Sequence, residues 1–207
     1  PDAVVTEAMR TLYDGVGEVE LAQALVLAAR TKVEVDPDYT YVSARLLMDM
    51  LRTEALTAVL GERTLATAPQ MAQLYPRYLK GYIAKGIELD MLDPRLGEFD
   101  LDRMGAAIEA GRDGDFTFLG LQTLYDRYFL HDRGQRYELP QAFFLRVAMG
   151  LALNEEHKEE RAIEFYRLIS SFDFMCSTPT LFNAGTTRPQ LSSCFLTTVD
   201  DDLDDIF

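Results

Sequence analysis

The sequence predicts a mainly α-helical chain that ends in a single β-strand. Three observations predict it. Apolar residues recur at helical spacing through most of the length, Asp-Gly and Asp-Pro pairs punctuate them, and the pattern changes near the C-terminus to the β-forming run SSCFLTTV at 192–199. A chain of 207 residues, 48% hydrophobic and 26% charged, can bury a real core. Lys and Arg number 20 against 34 Asp and Glu, a net charge of −14 that argues against nucleic acid or an anionic membrane surface as a partner. No apolar run approaches the roughly 20 residues of a membrane span. Cys176 and Cys194 alone make neither a disulfide framework nor a metal cluster, so a reduced, cytoplasmic setting is expected. Pro1 is not an initiator and Phe207 falls inside a patterned segment, so both ends read as cut.

Taken in order, Asp2 is positioned to cap a first helix with Val5, Ala8, Met9 and Leu12 on one face, closed by Asp14-Gly15. A second helix places Val19, Ala22, Leu25, Val26 and Ala29 together. Asp36-Pro37-Asp38 breaks it and starts a third, with Tyr39, Val42, Leu46, Met50 and Leu51 inward, ending near Gly61. Residues 62–115 read as linker-like helical material punctuated by Tyr75-Pro76 and Asp93-Pro94. In it, Tyr75, Tyr78 and Tyr82 recur at three or four residues, a packing stripe in preference to a ligand-facing ladder. Asp115 caps a helix bearing Phe118, Leu121, Leu124, Tyr125 and Phe129. A small hairpin is expected around 131–138, with His131 solvated rather than paired with Asp132 for catalysis. Pro140 opens a helix whose wide apolar face, Phe143, Phe144, Val147, Ala148 and Leu151, marks it as buried. Lys158 to Arg161 begins another, with Ile163, Phe165, Tyr166 and Ile169 in the core.

The stretch from Thr178 differs in kind. Pro179, Asn183-Ala184-Gly185 and Pro189 read as loop, followed by the strand that holds Cys194, with acid at Asp200, Asp201, Asp202, Asp204 and Asp205. A thiol at the head of a strand, hydroxyls beside it and carboxylates beyond suit a polar substrate. A buried core cysteine closed by an acidic turn is the competing reading.

The string STPTLFNAGTTRPQLSSC (177–194) resembles the ribonucleotide reductase large (α) subunit family, at the junction between its helical domain and its catalytic barrel. FLGLQTLYDRY, LPQAFFLRVAMGLALNEE and KEERAIEFYRLISSF upstream are similar to the same family in its aerobic class I form, so the resemblance covers roughly the C-terminal half. Residues 1–60 resemble part of an ATP-cone, the family's regulatory module. The opening hairpin with its phosphate-contacting turn is missing, Gly17-Glu18 stands where a Thr is expected, and Thr53 stands where a Lys is expected. Phosphates need donors and positive charge, so a degenerate cone without ATP binding is expected.

The resemblance thus implies a partial cone at 1–60, the reductase helical domain at 61–190 and the start of an α/β barrel at 191–207. It implies that Cys194 is one thiol of the redox pair, that Thr178 and Ser193 contact the nucleoside diphosphate, and that Asp201, Asp202 and Leu203 help bind a deoxynucleotide specificity effector. Cys176 is expected to be a bystander. No metal or cofactor is expected in this chain. The implied partners are a second α subunit, a radical-generating, metal-containing β subunit, and thioredoxin or glutaredoxin, with ATP and dNTP effectors. The remaining catalytic groups are expected beyond Phe207, leaving the fragment inactive alone. The competing readings are a non-catalytic acidic helical interaction module and a fragment of a cobalamin-dependent class II reductase.

Overall fold

The computed structural model describes residues 2–198; the expected effector residues Asp201, Asp202 and Leu203 lie outside them. The described residues are mainly helical, as expected. The helices are α1 (Asp2–Met9), α2 (Glu18–Arg30), α3 (Tyr39–Leu60), α4 (Met71–Glu88), α5 (Leu101–Ala106), α6 (Phe118–Arg127), α7 (Pro140–Ala152), α8 (Lys158–Ser170) and α9 (Thr178–Asn183). Short 3-10 turns at Ala68–Gln70, Pro94–Glu98 and Ala110–Gly114 connect several of them.

The expected hairpin is present. β1 (His131–Asp132) pairs antiparallel with β2 (Gln135–Arg136) across Arg133 and Gly134, whose φ values of 49° and 86° are what a tight two-residue hairpin turn needs. The strand expected at 192–199 is not seen at 192–198, which carries no regular structure. A strand is defined by a neighbour to pair with, and β-forming side chains cannot supply one.

The long helix α3 ties the molecule together. Its first half packs on α2, and α1 packs on α2 in turn, around a small cluster of Val4, Ala8, Ala28 and Ala29. The same helix contacts α4 and α6, and its Leu47, Met48, Leu51, Ala55 and Leu56 enter the main core. The inward faces are only partly those expected: Ala8, Val26, Ala29 and Leu51 are buried, and Leu25, Leu46 and Met50 pack against the core, while other expected positions face outward. α1 buries Val4 and Ala8 and exposes Val5 and Met9, and Val19 of α2 is exposed. α3 buries Ser43, Ala44, Leu47, Met48, Leu51 and Arg52, and leaves Val42 exposed. Apolar residues surround α3, so the neighbours choose its inner face. They choose the side with Ser43, Ala44 and Ala55, where small side chains admit close packing.

Residues 71–88 are not linker-like. α4 runs through Pro76 and buries Met71, Tyr75, Tyr78, Leu79, Tyr82 and Ile83. α7 is enclosed on all sides, as its broad apolar face implied, with Phe143, Phe144, Leu145 and Val147 almost wholly buried. Each such side chain contributes about 1.5–3 kcal/mol relative to remaining exposed. α8 packs along α7, and α6 is capped not by Asp115 but by Thr117, whose hydroxyl accepts from the Gly120 N–H at 3.4 Å.

The tyrosines of α4 form a packing stripe, and each buried hydroxyl has its own acceptor. Tyr75 donates to Asp113 Oδ2 at 2.7 Å, Tyr78 to the Tyr137 carbonyl at 2.5 Å, and Tyr82 to Glu138 Oε1 at 2.5 Å. Burial first, and the neighbouring Asp113 or Glu138 charge next, push all three phenols well above their ordinary pKa, so they stay donors. Asp113 also accepts from Gln141 Nε2 at 2.9 Å, and Gln141 Oε1 accepts from Tyr166 at 2.8 Å, which links α4, α7 and α8.

Burial pushes Asp113 from its ordinary 3.8 to about 6, although the Gln141 and Tyr75 hydrogen bonds and the Arg52 charge pull it partly back. A carboxyl whose pKa is raised on folding holds more protons folded than unfolded, so its effect on stability weakens as pH rises. Between pH 4 and 6 the fold should lose about 2 kcal/mol from this group. Urea unfolding across that range should show the decline, and Asp113→Asn, which cannot ionise, should flatten it.

Candidate functional site

The candidate site is built on a buried ion pair, Arg146 of α7 with Glu138 before it. Both side chains are fully buried, and Arg146 Nε donates to Glu138 Oε1 at 2.8 Å. A carboxylate so placed needs its remaining lone pairs filled. Tyr82 fills one on Oε1, and the Leu130 N–H fills another on Oε2 at 2.9 Å. The guanidinium has donors left over, and they point at the end of α9. Arg146 Nη1 donates to the Ala184 carbonyl at 2.7 Å and the Phe182 carbonyl at 3.4 Å, and Nη2 donates to the Leu181 carbonyl at 3.3 Å. The last carbonyls of a helix have no partner within it, and a cation there is favourable.

The segment expected as loop therefore begins as a short helix. Pro179 sits in the first turn of α9, where its missing N–H costs least, so it starts structure instead of breaking it. After Ala184 the chain turns sharply. Gly185 has φ 76°, and its carbonyl accepts from the Asp93 N–H at 3.0 Å. Leu92 and Thr186 form an isolated antiparallel bridge, and the Thr187 N–H donates to the Met91 carbonyl at 3.2 Å. Asn183 Nδ2 donates to the Gln190 carbonyl at 2.7 Å, and Thr180 Oγ1 to the Leu191 carbonyl at 3.3 Å. Residues 178–191 are thus knitted to themselves, to α7 and to residues 91–93.

Thr178 is exposed at the head of α9, with Oγ1 3.2 Å from the Tyr128 hydroxyl. Ser193 and Cys194 are exposed and lie just beyond the knitted segment. Cys194 is exposed among the described residues, where no core buries it. Among the described residues, no hydrogen bond joins Thr178 to Ser193 or Cys194. Cys176 is half-buried against the main core, and burial raises its thiol pKa, which disfavours the reactive thiolate. His131 is exposed, and no group of His, Cys, Asp and Glu among the described residues is arranged to hold a metal.

A cavity of about 890 Å³ lies elsewhere among the described residues, between α3 and residues 65–70 and 110–114. It borders Arg45, Arg52 and Asp113, and Arg52 Nε is buried there without a partner. Sequence reasoning missed Glu138, Arg146 and Tyr128, although an arginine inside the apolar run FFLRVAMG was a visible signal of a buried pair.

The profile described as "Ribonucleotide reductase, all-alpha domain" matches residues 114–189, which contain α6 to α9 and the ion pair. The chain is 45% identical over 207 residues to the ribonucleoside-diphosphate reductase subunit alpha of Chlamydia muridarum, covering 99% of this chain and 19% of that one. It is 37% identical over 203 residues to the subunit alpha of Helicobacter pylori, covering 97% and 24%, and 35% identical over 204 residues to the large subunit of Danio rerio, covering 98% and 24%.

The chain belongs to the ribonucleotide reductase large-subunit family. It spans about a fifth to a quarter of the length of the relatives named. The similarity to the chlamydial subunit runs through 99% of the chain, so it takes in α1 to α3 as well as the all-alpha domain. In this large-subunit segment α9 is packed so tightly on α7 that a Cβ added to Gly150 would stand 2.1 Å from the Gly185 nitrogen. Gly150→Ala should therefore cost about 1–3 kcal/mol of stability through overpacking. Arg146→Met should cost about 3–5 kcal/mol, because it strands Glu138 as an uncompensated buried charge. Chemical denaturation of both variants checks the order.

Proposed function

We propose that the chain is part of a class I ribonucleoside-diphosphate reductase α subunit, which converts ribonucleoside diphosphates to 2′-deoxyribonucleoside diphosphates. The observation that carries this is the segment 177–194. It resembles the family's motif, and it leaves the Thr178 hydroxyl exposed on a rigidly held base with the Ser193 hydroxyl and the Cys194 thiol exposed just beyond that base. An interaction module has no need for that arrangement.

In the proposed reaction a radical formed at the ribose C3′ labilises the 2′-hydroxyl, which leaves as water. Two thiols supply two electrons and two protons and become a disulfide. Cys194 is proposed as one of them, with a cysteine other than Cys176 as its partner. Thr178 and Ser193 are proposed to meet the oxygens of the nucleoside diphosphate, as hydroxyls can donate to phosphate where a carboxylate cannot. Asp201, Asp202 and Leu203 are proposed to help bind a deoxynucleotide effector between two α subunits, a carboxylate being a suitable acceptor for a ribose hydroxyl.

The division into a partial cone at 1–60, the helical domain at 61–190 and the opening of a barrel at 191–207 belongs to the same proposal. So do the radical-generating β subunit and a thioredoxin-type reductant as partners, and a cytoplasmic setting. The described residues contain no helix long and apolar enough to cross a membrane. The cone-like part is proposed not to bind ATP. Glu18 is exposed and paired with Arg63, and the Thr53 hydroxyl donates to the Asp49 carbonyl, so neither offers charge to a phosphate.

The test uses the full-length α subunit with its β partner. Cys194→Ser keeps volume and polarity but cannot form a disulfide. It should bind nucleoside diphosphate normally and lose sustained turnover with a thioredoxin-type reductant, while Cys176→Ser should resemble the unaltered enzyme. Continued deoxynucleotide formation by Cys194→Ser would refute the thiol assignment.

A further inference from the structure

We propose that Tyr128 is the positioning residue for Thr178. Its hydroxyl donates to Thr178 Oγ1 and so leaves the threonine proton free for an acceptor oxygen of the substrate. The inference rests on the reading of Thr178 as a contact to the nucleoside diphosphate.

Tyr128 follows the last turn of α6, where its own N–H donates to the Leu124 carbonyl at 2.9 Å. That bond fixes the backbone from which the side chain projects. The ring lies flat on Phe182, with centroids 4.4 Å apart and planes 9° from parallel. A second contact, edge-on to Phe143 of α7 at 6.3 Å and 81°, settles the ring's tilt. Offset stacked and edge-on pairs are the favoured aromatic geometries, so the phenol is held firmly before its oxygen makes any bond.

Thr178 and Phe182 stand four residues apart, hence on one face of α9. One tyrosine therefore grips both ends of a short helix, the ring at Phe182 and the oxygen at Thr178, 3.2 Å from Oγ1. A threonine hydroxyl has one proton and two lone pairs. A phenol is more acidic than an aliphatic alcohol and is the better donor of the two. With Tyr128 donating, Thr178 accepts on one lone pair and keeps its proton for an acceptor. Chains of hydroxyls aligned this way strengthen one another. Thr178 is exposed, so that proton faces outward, where a phosphate or ribose oxygen can take it. Phe182 and Phe143 are the reason Tyr128 is more than a solvated neighbour: without them the phenol would be free to turn away.

The experiment measures steady-state kinetics of the full-length α subunit with its β partner and a dithiol reductant, with cytidine diphosphate as substrate. Tyr128→Phe keeps both ring contacts and deletes the oxygen. It should raise KM about five- to tenfold, the worth of one hydrogen bond to a charged or polar ligand, with kcat within about twofold. In a Thr178→Val background the same change should add nothing, because the hydroxyl it oriented is gone. Tyr128→Leu removes the ring too, and should lower the thermal midpoint by several degrees where Tyr128→Phe does not. If Thr178→Val raises KM and Tyr128→Phe leaves it unchanged, the positioning role is overturned while the reading of Thr178 stands. If Thr178→Val itself leaves KM unchanged, that reading falls and the proposal with it. A Tyr128→Phe variant that loses thermal stability as Tyr128→Leu does would show a packing role only, which also overturns the proposal.

Discussion

The rest of the structure depends on where the Arg146 guanidinium finds its partners. It lies wholly inside the protein, pinned by Glu138, and its remaining donors reach three carbonyls at the end of α9. An ion pair this deep is poor evidence of stability, since apolar side chains of the same volume hold a core together as well or better. Its value is geometric. A guanidinium presents its donors in a fixed plane, so the pose of Arg146 dictates the pose of the α9 carbonyls. Glu138 dictates the pose of Arg146, and it is held in turn by Tyr82 of α4 and the Leu130 N–H. Four separate parts of the chain therefore share one set of directional bonds. Had the same space been filled with leucine, α9 could slide without losing much.

The glycines explain how α9 comes close enough for this. Gly150 lets the backbone at Gly185 lie against α7, and Gly185 turns with a positive φ to reach Asp93. The close approach shortens the reach from Arg146 to Ala184, and the ion pair then orients what the glycines admit. A second buried network, from Tyr75 through Asp113 and Gln141 to Tyr166, fixes α4, α7 and α8 to one another behind this surface. The base on which the motif rests is rigid because its polar groups are satisfied by one another, each in a single arrangement.

Most of the helices were legible in the sequence, because periodicity and punctuation are local. Their inner faces were less so. α3 carries apolar residues on nearly every side, and only its neighbours select Ser43, Ala44 and Leu47 over Val42. The tyrosine stripe was legible as packing, but its acceptors were not, since Asp113 and Glu138 are far away in sequence. α9 was obscured by its own punctuation. Pro179 and Asn183-Ala184-Gly185 resemble a loop until Arg146 supplies partners for the carbonyls that a six-residue helix cannot satisfy alone. Thr178, Ser193 and Cys194 were visible as chemistry through the motif, whereas Tyr128 was not, because what marks it is the stacking on Phe182.

The contrast between residues 178–191 and 192–198 follows from how the two kinds of structure are made. A short helix and a turn can be completed by groups already in the fold, and Arg146, Met91 and Asp93 complete these. A strand cannot be completed that way. Its N–H and C=O groups point sideways and require another extended segment alongside. The β-forming side chains at 192–198 therefore specify a conformation that the described helices do not pair with, and Cys194 stays exposed. The division suits the proposed chemistry. Thr178 stands on a base fixed by the helical domain. The thiol sits on a segment that no described strand pairs, so bringing the two together as the proposal requires would take pairing that the described helices do not supply.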